Sequence, residues 1–190
     1  MASKSKQLLE VLLVRCEMTG VPEKGLLQSR NLGSVEIIWP RASIAKKSSA
    51  REFVFHRGQV DFSAEPWATR VLFREEVDGH TAFAVSITEP LSIQKIRTFL
   101  RLTAKYALKQ GADFVEKAML GYADLASAPV DALAAMVGES KAPKIIAKGL
   151  VDLPNDRMPE PGQEVLVEVP LFRPKILKKQ IGTLTLLVRA

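Results

Sequence analysis

Cysteine and histidine are scarce in this chain, which contains one cysteine and two histidines among its 190 residues. A single cysteine excludes a disulfide within the chain and predicts a reducing compartment, most simply the cytoplasm. Cys16 lies in the apolar run EVLLVRCEM, where a thiol is typically buried and inert. Because no H-x-x-H, H-E-x-x-H or C-x-x-C spacing occurs, the sequence predicts no metal site.

Motifs for cofactors, nucleotides and covalent catalysis are also missing. The chain contains no G-x-x-x-x-G-K-[ST], no G-x-G-x-x-G and no G-x-S-x-G, so we predict no cofactor and favour no catalytic residue. Nucleic-acid binding is unsupported, because recognised signatures are absent and the basic segments offer few aromatic rings for stacking on bases. No apolar run is long enough to cross a bilayer, so no transmembrane segment is predicted.

The chain does have an ordinary apolar content and an excess of basic residues. Hydrophobic residues make up 47% of it, and 27 lysines and arginines against 21 acidic residues give a net charge of +6. Such a charge is compatible with nucleic acid, an anionic membrane or an acidic partner, and also with simple solubility, so net charge alone decides nothing. The length suits one domain, which we predict to span residues 1–190.

Most of the sequence is typical of β-strands. Segments 19–33 and 41–51 are predicted as loops, because the first is rich in glycine and the second is polar and basic. Gly58 interrupts one strand and predicts a bulge or bend there. The predicted strands cover residues 8–18, 34–39, 52–62, 69–77, 80–88, 143–153, 164–172 and 181–190.

The Asp78-Gly79 dipeptide is the clearest local signal in the chain. It separates two strand-like runs, and Asp-Gly is favoured where both central residues of a hairpin turn need positive φ. We therefore predict a hairpin between strands 69–77 and 80–88. In that register the paired positions are Val77 with His80, Phe73 with Ala84 and Leu72 with Val85.

The order of these elements predicts a mainly β fold with an α insertion. Strands that follow one another through hairpins and loops pair antiparallel, and about eight of them favour a β-sandwich. Residues 92–137 form a helical segment inserted between two strands of this single domain. The strand order and long first loops resemble those of C2-type sandwiches; the resemblance covers topology only and carries no function.

The first helix of the insertion, residues 92–111, has a basic side. Ser92 is its predicted N-cap and Gly111 its end. Ile96, Leu100 and their helical neighbours form an apolar side that we expect to pack on the sheet. No acidic residue occurs between Pro90 and Gly111. The opposite side carries the candidate anion-binding or partner-binding residues Lys95, Arg97, Arg101, Lys105 and Lys109.

Two hypotheses on function follow from these patterns. The first is a non-enzymatic binding or assembly module, whose basic helix face contacts an acidic protein or an anionic membrane surface. The alternative to this hypothesis is that the basic helix face is only solvated and binds nothing. The second hypothesis is a small-ligand binder or hydrolytic enzyme, with a pocket near His56 between the helices and the sheet and Asp61 as a partner of that histidine. The sequence leaves a homo-oligomer open.

Overall fold

The computed structural model of the chain describes residues 6–20, 28–39, 45–98, 100, 143–174 and 176–190. One helical turn, α1, spans Trp67–Arg70, a 3-10 turn spans Asn155–Arg157, and residues 93–98 and 100 form helix α2. The strands are β1 (Gln7–Met18), β2 (Gln28–Trp39), β3 (Ala45–His56), β4 (Gln59–Asp61), β5 (Val71–Val77), β6 (Thr81–Thr88), β7 (Ile145–Leu153), β8 (Glu164–Arg173) and β9 (Ile176–Arg189).

All strand pairings among these residues are antiparallel. The strand order is β4-β3-β2-β6-β7-β8-β9-β1-β5, and β4 also pairs with β1. The hydrogen-bonded ladder therefore closes into a ring of eight strands, with β5 beside β1. The predicted mainly β, antiparallel fold is confirmed by this pairing.

Two of the strand pairings in this ring involve very few residues. Strands β7 and β8 pair only through Lys148 with Phe172 and Gly149 with Leu171, and β3 meets β4 only where His56 pairs with Gln59. These two short pairings separate the strand group β3-β2-β6-β7 from the group β8-β9-β1-β5. The division is compatible with two facing layers, and the finer assignment to a C2-like β-sandwich stays a prediction.

The predicted hairpin at Asp78-Gly79 is wrong. Strands β5 and β6 follow each other in sequence, but β5 pairs with β1, whereas β6 pairs with β2 and β7. Every residue of β6 is buried. A strand buried on both faces is stable at the centre of a layer, where both of its edges pair with other strands. Because β2 and β7 occupy both edges of β6, β5 cannot pair with β6.

A two-residue hairpin lies elsewhere, between β3 and β4. Arg57 has φ of 50° and Gly58 has φ of 77°, so the chain reverses over two residues with left-handed backbones. His56 and Gln59 pair across this turn. Gly58 therefore forms part of a turn, and the predicted bulge or bend within one strand is replaced by a change of strand.

Both predicted loops are partly strands. Residues 28–33 belong to β2 and residues 45–51 to β3, and the two strands pair over their whole length. Gly33 is needed at that position, because a Cβ atom would collide with the ring of Phe53. The lysines and serines of residues 45–51 have low β-propensity, but pairing with the apolar strand β2 overrides it.

The predicted insertion leaves and returns to the sheet at one point. Strands β6 and β7 are neighbours, with Thr88 opposite Ile145, and the Glu89 amide donates to the Lys144 carbonyl at 2.7 Å. Residues 89–144 thus connect two adjacent strands. Most of the predicted helical segment, residues 101–137, lies outside the described residues, so its helices and the one-domain organisation stay predictions.

The main hydrophobic core of the described residues contains side chains from both groups of strands. Strands β2 and β6 also bury the face turned away from this core, here called the outer face; on β2 it carries Leu32, Ser34, Glu36 and Ile38, and on β6 Ala82, Ala84, Ser86 and Thr88. The largest fully buried side chains of the core are Phe53, Phe55, Phe83, Leu9, Leu13, Ile37, Ile87 and Leu171.

The core assignment is tested by two leucines on neighbouring strands. Leu186 on β9 is fully buried, whereas Leu166 on β8 is 62% exposed. We expect Leu186→Ala to lower the free energy of unfolding by roughly 2–5 kcal/mol, because it removes buried apolar surface and leaves a cavity. Leu166→Ala should change it by less than about 0.5 kcal/mol. Urea denaturation measures both, and equal effects would contradict the placement of the core.

Candidate functional site

Helix α2 begins where the sequence predicts. The Ser92 hydroxyl accepts a hydrogen bond from the Lys95 amide at 3.3 Å, and the Ile96 amide donates to the Ser92 carbonyl at 3.0 Å. One residue earlier, the Leu91 amide donates to the Arg30 carbonyl of β2 at 2.8 Å. The cap at Ser92 satisfies a free amide of the first turn, and the bond to β2 holds the start of α2 against the sheet.

The apolar side of α2 packs on the outer face. Ile96 is 1% exposed, and Leu91 and Leu100 pack against the fully buried Leu32 of β2. Lys95 and Arg97, on either side of Ile96 in sequence, are exposed. In the described part of the helix Ile96 therefore faces the sheet, as predicted, whereas the apolar Ile93 is 45% exposed; the basic side of the helix stays a prediction.

The structure describes two of the five predicted anion-binding residues. Lys95 and Arg97 lie on the first turns of α2 and are exposed, and Ile93 on the same turns is 45% exposed. Arg101, Lys105 and Lys109 lie outside the described residues. Their place in one basic face therefore stays a prediction.

A second group of cations, on β3, has a structural role. Lys47 forms an ion pair with Glu75 of β5 at 2.6 Å, and Arg51 donates to the Val71 carbonyl of β5 at 3.0 Å. These contacts join the facing edges of β3 and β5, which do not pair as strands in the described part of the chain. Lys47 and Arg51 thus close an edge of the fold.

The pocket predicted near His56 gains no support. The His56 side chain is exposed at the β3–β4 turn, where its Nε2 lies 3.3 Å from Gln28 Nε2. Asp61, its predicted partner, accepts from the Ser63 amide at 2.7 Å, and hydrogen bonds from the Ser63 hydroxyl and amide lower the pKa of Asp61. The other histidine, His80, lies at the surface with its Nε2 3.5 Å from Asp152 Oδ1.

Cys16 has the properties of a structural thiol. It is fully buried, and burial raises the pKa of its thiol, so the reactive thiolate is disfavoured. Among the described residues, no three His, Cys, Asp or Glu side chains are grouped so that they could hold a metal ion. Within the same residues, no helix has the length and apolar character needed to span a membrane.

The sequence reading missed Glu36, a carboxylate buried on the outer face of β2. It is 2% exposed, and loss of hydration raises the pKa of Glu36 to about 7, an effect that the charge of Lys46 partly offsets. Its Oε2 atom has no hydrogen-bond partner. The signal was the lone acid in SVEIIW, since strand alternation places Ser34, Glu36 and Ile38 on one face.

Comparisons with known proteins do not assign the chain to a family. No protein family and no curated protein match it. The C2A domain of plant extended synaptotagmin 1 aligns with 96% of this chain and 92% of its own length, at 12% identity and a TM-score of 0.44. A structure of CC2D1B, which coordinates ESCRT-III activity during the mitotic reformation of the nuclear envelope, aligns with 100% of this chain and 56% of its own, at 13% identity and a TM-score of 0.43. Because these identities and TM-scores are low, neither likeness establishes fold or function.

Burial of Glu36 predicts a pH-dependent stability. Since its folded pKa of about 7 lies above the unfolded value of 4.5, the folded state keeps the proton longer. The favourable contribution is complete below the unfolded value and is lost as pH rises through about 7. Glu36→Gln cannot ionise, so its stability relative to the wild type should rise by roughly 3 kcal/mol across this range.

Urea denaturation at several pH values measures this difference. Glu168→Gln is a matched control, because Glu168 is exposed on β8. It should keep the pH dependence of the wild type. A Glu36→Gln protein whose stability follows the wild-type pH curve would show that Glu36 is hydrated in the folded state.

Proposed function

We propose that the chain is a non-enzymatic binding module that contacts an anionic surface through the basic face of the helix beginning at Ser92. The residues of this face are Lys95, Arg97, Arg101, Lys105 and Lys109. The observation that carries the proposal is the placement of Ile96, which is 1% exposed between the exposed Lys95 and Arg97. An inward apolar residue fixes the rotation of the helix, and with it the outward direction of the cations.

The charge pattern of the helix supports a role in binding. Arg97, Arg101, Lys105 and Lys109 are spaced four residues apart, so each repels the next by roughly 0.2–0.5 kcal/mol in a continuous helix. No acid between Pro90 and Gly111 offsets this repulsion within the segment. An anionic partner would convert the repulsion into attraction, which is a reason for one sign of charge to be gathered there.

A membrane surface is the partner that the described residues favour. Ile93 is 45% exposed on the first turn of α2, four residues before the exposed Arg97. An apolar side chain next to basic ones is typical of segments that bind at membrane interfaces, where the apolar group enters the headgroup region and the cations bind anionic lipids. The cytoplasmic leaflet, which carries such lipids, agrees with the predicted location.

In this proposal the β-strands form a rigid C2-like sandwich that carries the helix. Support comes from the bond between Leu91 and Arg30, from the packing of Leu100 on Leu32, and from the return of the chain at Lys144. These contacts hold the first turns of the helix on paired strands. A surface held in this way loses little entropy on binding.

Charge reversal tests the proposal. We expect Lys95→Glu/Arg97→Glu, and separately Arg101→Glu/Lys105→Glu, to weaken binding to phosphatidylserine-containing vesicles by at least about ten-fold, because each variant replaces attraction with repulsion. Binding of the wild type should fall as salt rises. Vesicle co-sedimentation measures both effects, with pure phosphatidylcholine vesicles as the uncharged comparison.

A control variant with the same change of net charge is Arg157→Glu/Arg173→Glu. Both of these arginines are exposed, and neither belongs to the proposed basic face. If it binds as weakly as the helix variants, net charge and not the basic face governs binding. Salt-dependent binding to polyglutamate without binding to vesicles would assign the face to an acidic protein, and binding to neither would contradict the proposal.

A further inference from the structure

Strand β8 has an unpaired edge along its first half. One side of β8 pairs with β9 over its whole length, but the other side meets β7 only at Leu171 and Phe172. The two strands then separate, and no hydrogen bond or ion pair of the described residues joins residues 150–153 of β7 to residues 164–168 of β8. Residues 164–168 are here called the open edge. The facing edges of β3 and β5, in contrast, are bridged by cationic side chains.

The register of β8 and β9 shows which backbone groups face the open edge. The Ala190 amide donates to the Gln163 carbonyl at 3.3 Å, so Gln163 directs its backbone polar groups toward β9. These groups alternate between the two sides of a strand, so every second residue after Gln163 bonds to β9 in the same way. The residues between them direct their amides and carbonyls to the open edge, and they are Glu164, Leu166 and Glu168. Pro170 follows at the same spacing, where its missing amide hydrogen costs no bond to β9.

The side chains of the open edge combine an apolar residue with acids. Leu166 is 62% exposed, the largest exposed fraction of any large apolar side chain in the described part of the chain. Glu164 and Glu168 flank it two residues away on the same face of the strand and are exposed. Residues 150–168 contain five acidic residues and one basic residue, all exposed, in a chain whose net charge is +6. The acidic ones are Asp152, Asp156, Glu160, Glu164 and Glu168.

The charges of the open edge select the kind of strand that can join it. Unpaired amides and carbonyls at a strand edge are a template for pairing with another chain. Two copies of β8 that pair antiparallel with Leu166 opposite Leu166 would place Glu164 opposite Glu168 at both ends, and like charges in that position are destabilising. Arg189 lies 3.9 Å from Glu164 but forms a closer ion pair, at 2.6 Å, with Glu10. The acids therefore disfavour a second copy of the chain and favour a basic strand.

We propose that the open edge binds an extended basic segment of another protein, which joins β8 as an antiparallel strand. The backbone of the segment bonds to the amides and carbonyls of Glu164, Leu166 and Glu168. Its central apolar side chain packs on Leu166, and basic side chains two residues to either side pair with the two acids. The pattern recognised is thus basic-x-apolar-x-basic. The open edge shares no residue with the basic helix face, so the two contacts are independent.

A short peptide with this pattern tests the proposal. The probe is acetyl-Ser-Lys-Val-Leu-Val-Lys-Ser-amide, and calorimetric titration into the whole chain should give saturable binding. Glu164→Lys/Glu168→Lys should weaken binding by at least about ten-fold, because repulsion replaces attraction, and should instead bind the peptide in which glutamates replace both lysines. Glu65→Lys/Glu76→Lys is the matched control, since Glu65 precedes α1 and Glu76 lies on β5, and both are exposed. It should bind the probe as the wild type does.

Methylation of the peptide backbone separates strand addition from attraction between charges. In the proposed pairing the amides of the leucine and both lysines point to β8, and those of the two valines point away. N-methylation of the leucine and the second lysine should weaken binding by at least about ten-fold, whereas N-methylation of the two valines should change it far less. This comparison uses the unaltered protein, so it remains decisive if a variant fails to fold.

The proposal would be overturned by equal effects of the two methylation patterns, by equal binding of the probe to the charge-reversed and control variants, or by no saturable binding. Self-association of the wild type that Glu164→Lys/Glu168→Lys abolishes would also overturn it, because the open edge would then pair with a second copy of the chain.

Discussion

Strand β6 is buried on both faces along its whole length, and the rest of the structure depends on this constraint. One face, with Phe83, Val85 and Ile87, belongs to the main core. The other, with Ala82, Ala84 and Ser86, is also inaccessible although it points away from that core. A strand in this position needs a partner at each edge and packing above each face. The pairings with β2 and β7 meet the first requirement.

The outer face links the fold to the proposed basic helix face. At one end, Leu32 receives Leu91 and Leu100, and this contact sets the direction of Lys95 and Arg97. Further along β2, the same face contains small and polar residues around a buried carboxylate. The outer face therefore packs against the start of the helix at Leu32 and buries a carboxylate at Glu36.

Sequence patterns located the elements whose local chemistry agrees with their tertiary environment. The apolar runs of β1, β7, β8 and β9 predicted strands close to those found, and Ser92 predicted the start of α2 because a hydroxyl caps a helix in any context. The helical period of the apolar residues also predicted that Ile96 faces the sheet. Each of these signals is carried by nearby residues, so it can be recognised without knowledge of the partners.

The wrong predictions have the opposite cause, because in these segments the neighbouring strands determine the structure. Residues 45–51 become a strand because β2 lies alongside, although their own lysines and serines favour a loop. The Asp78-Gly79 turn suggested a hairpin, but β2 and β7 occupy both edges of β6. Glu36 gave a visible signal as a lone acid in an apolar strand. The burial of Glu36 could not be predicted, because a single sequence does not show which strands are covered on both faces.

The measurement closest to the central claim is the reactivity of a thiol at position 86. Ser86 is fully buried on the outer face, and the native Cys16, buried in the main core, serves as an internal reference. In Ser86→Cys, the new thiol should react with a thiol reagent as slowly as Cys16 under native conditions, and both should react rapidly in denaturant. Ser63→Cys, at an exposed position, gives the rate for an open site. A thiol at position 86 that reacts as fast as one at position 63 would show that the outer face is open to solvent, and would contradict the account.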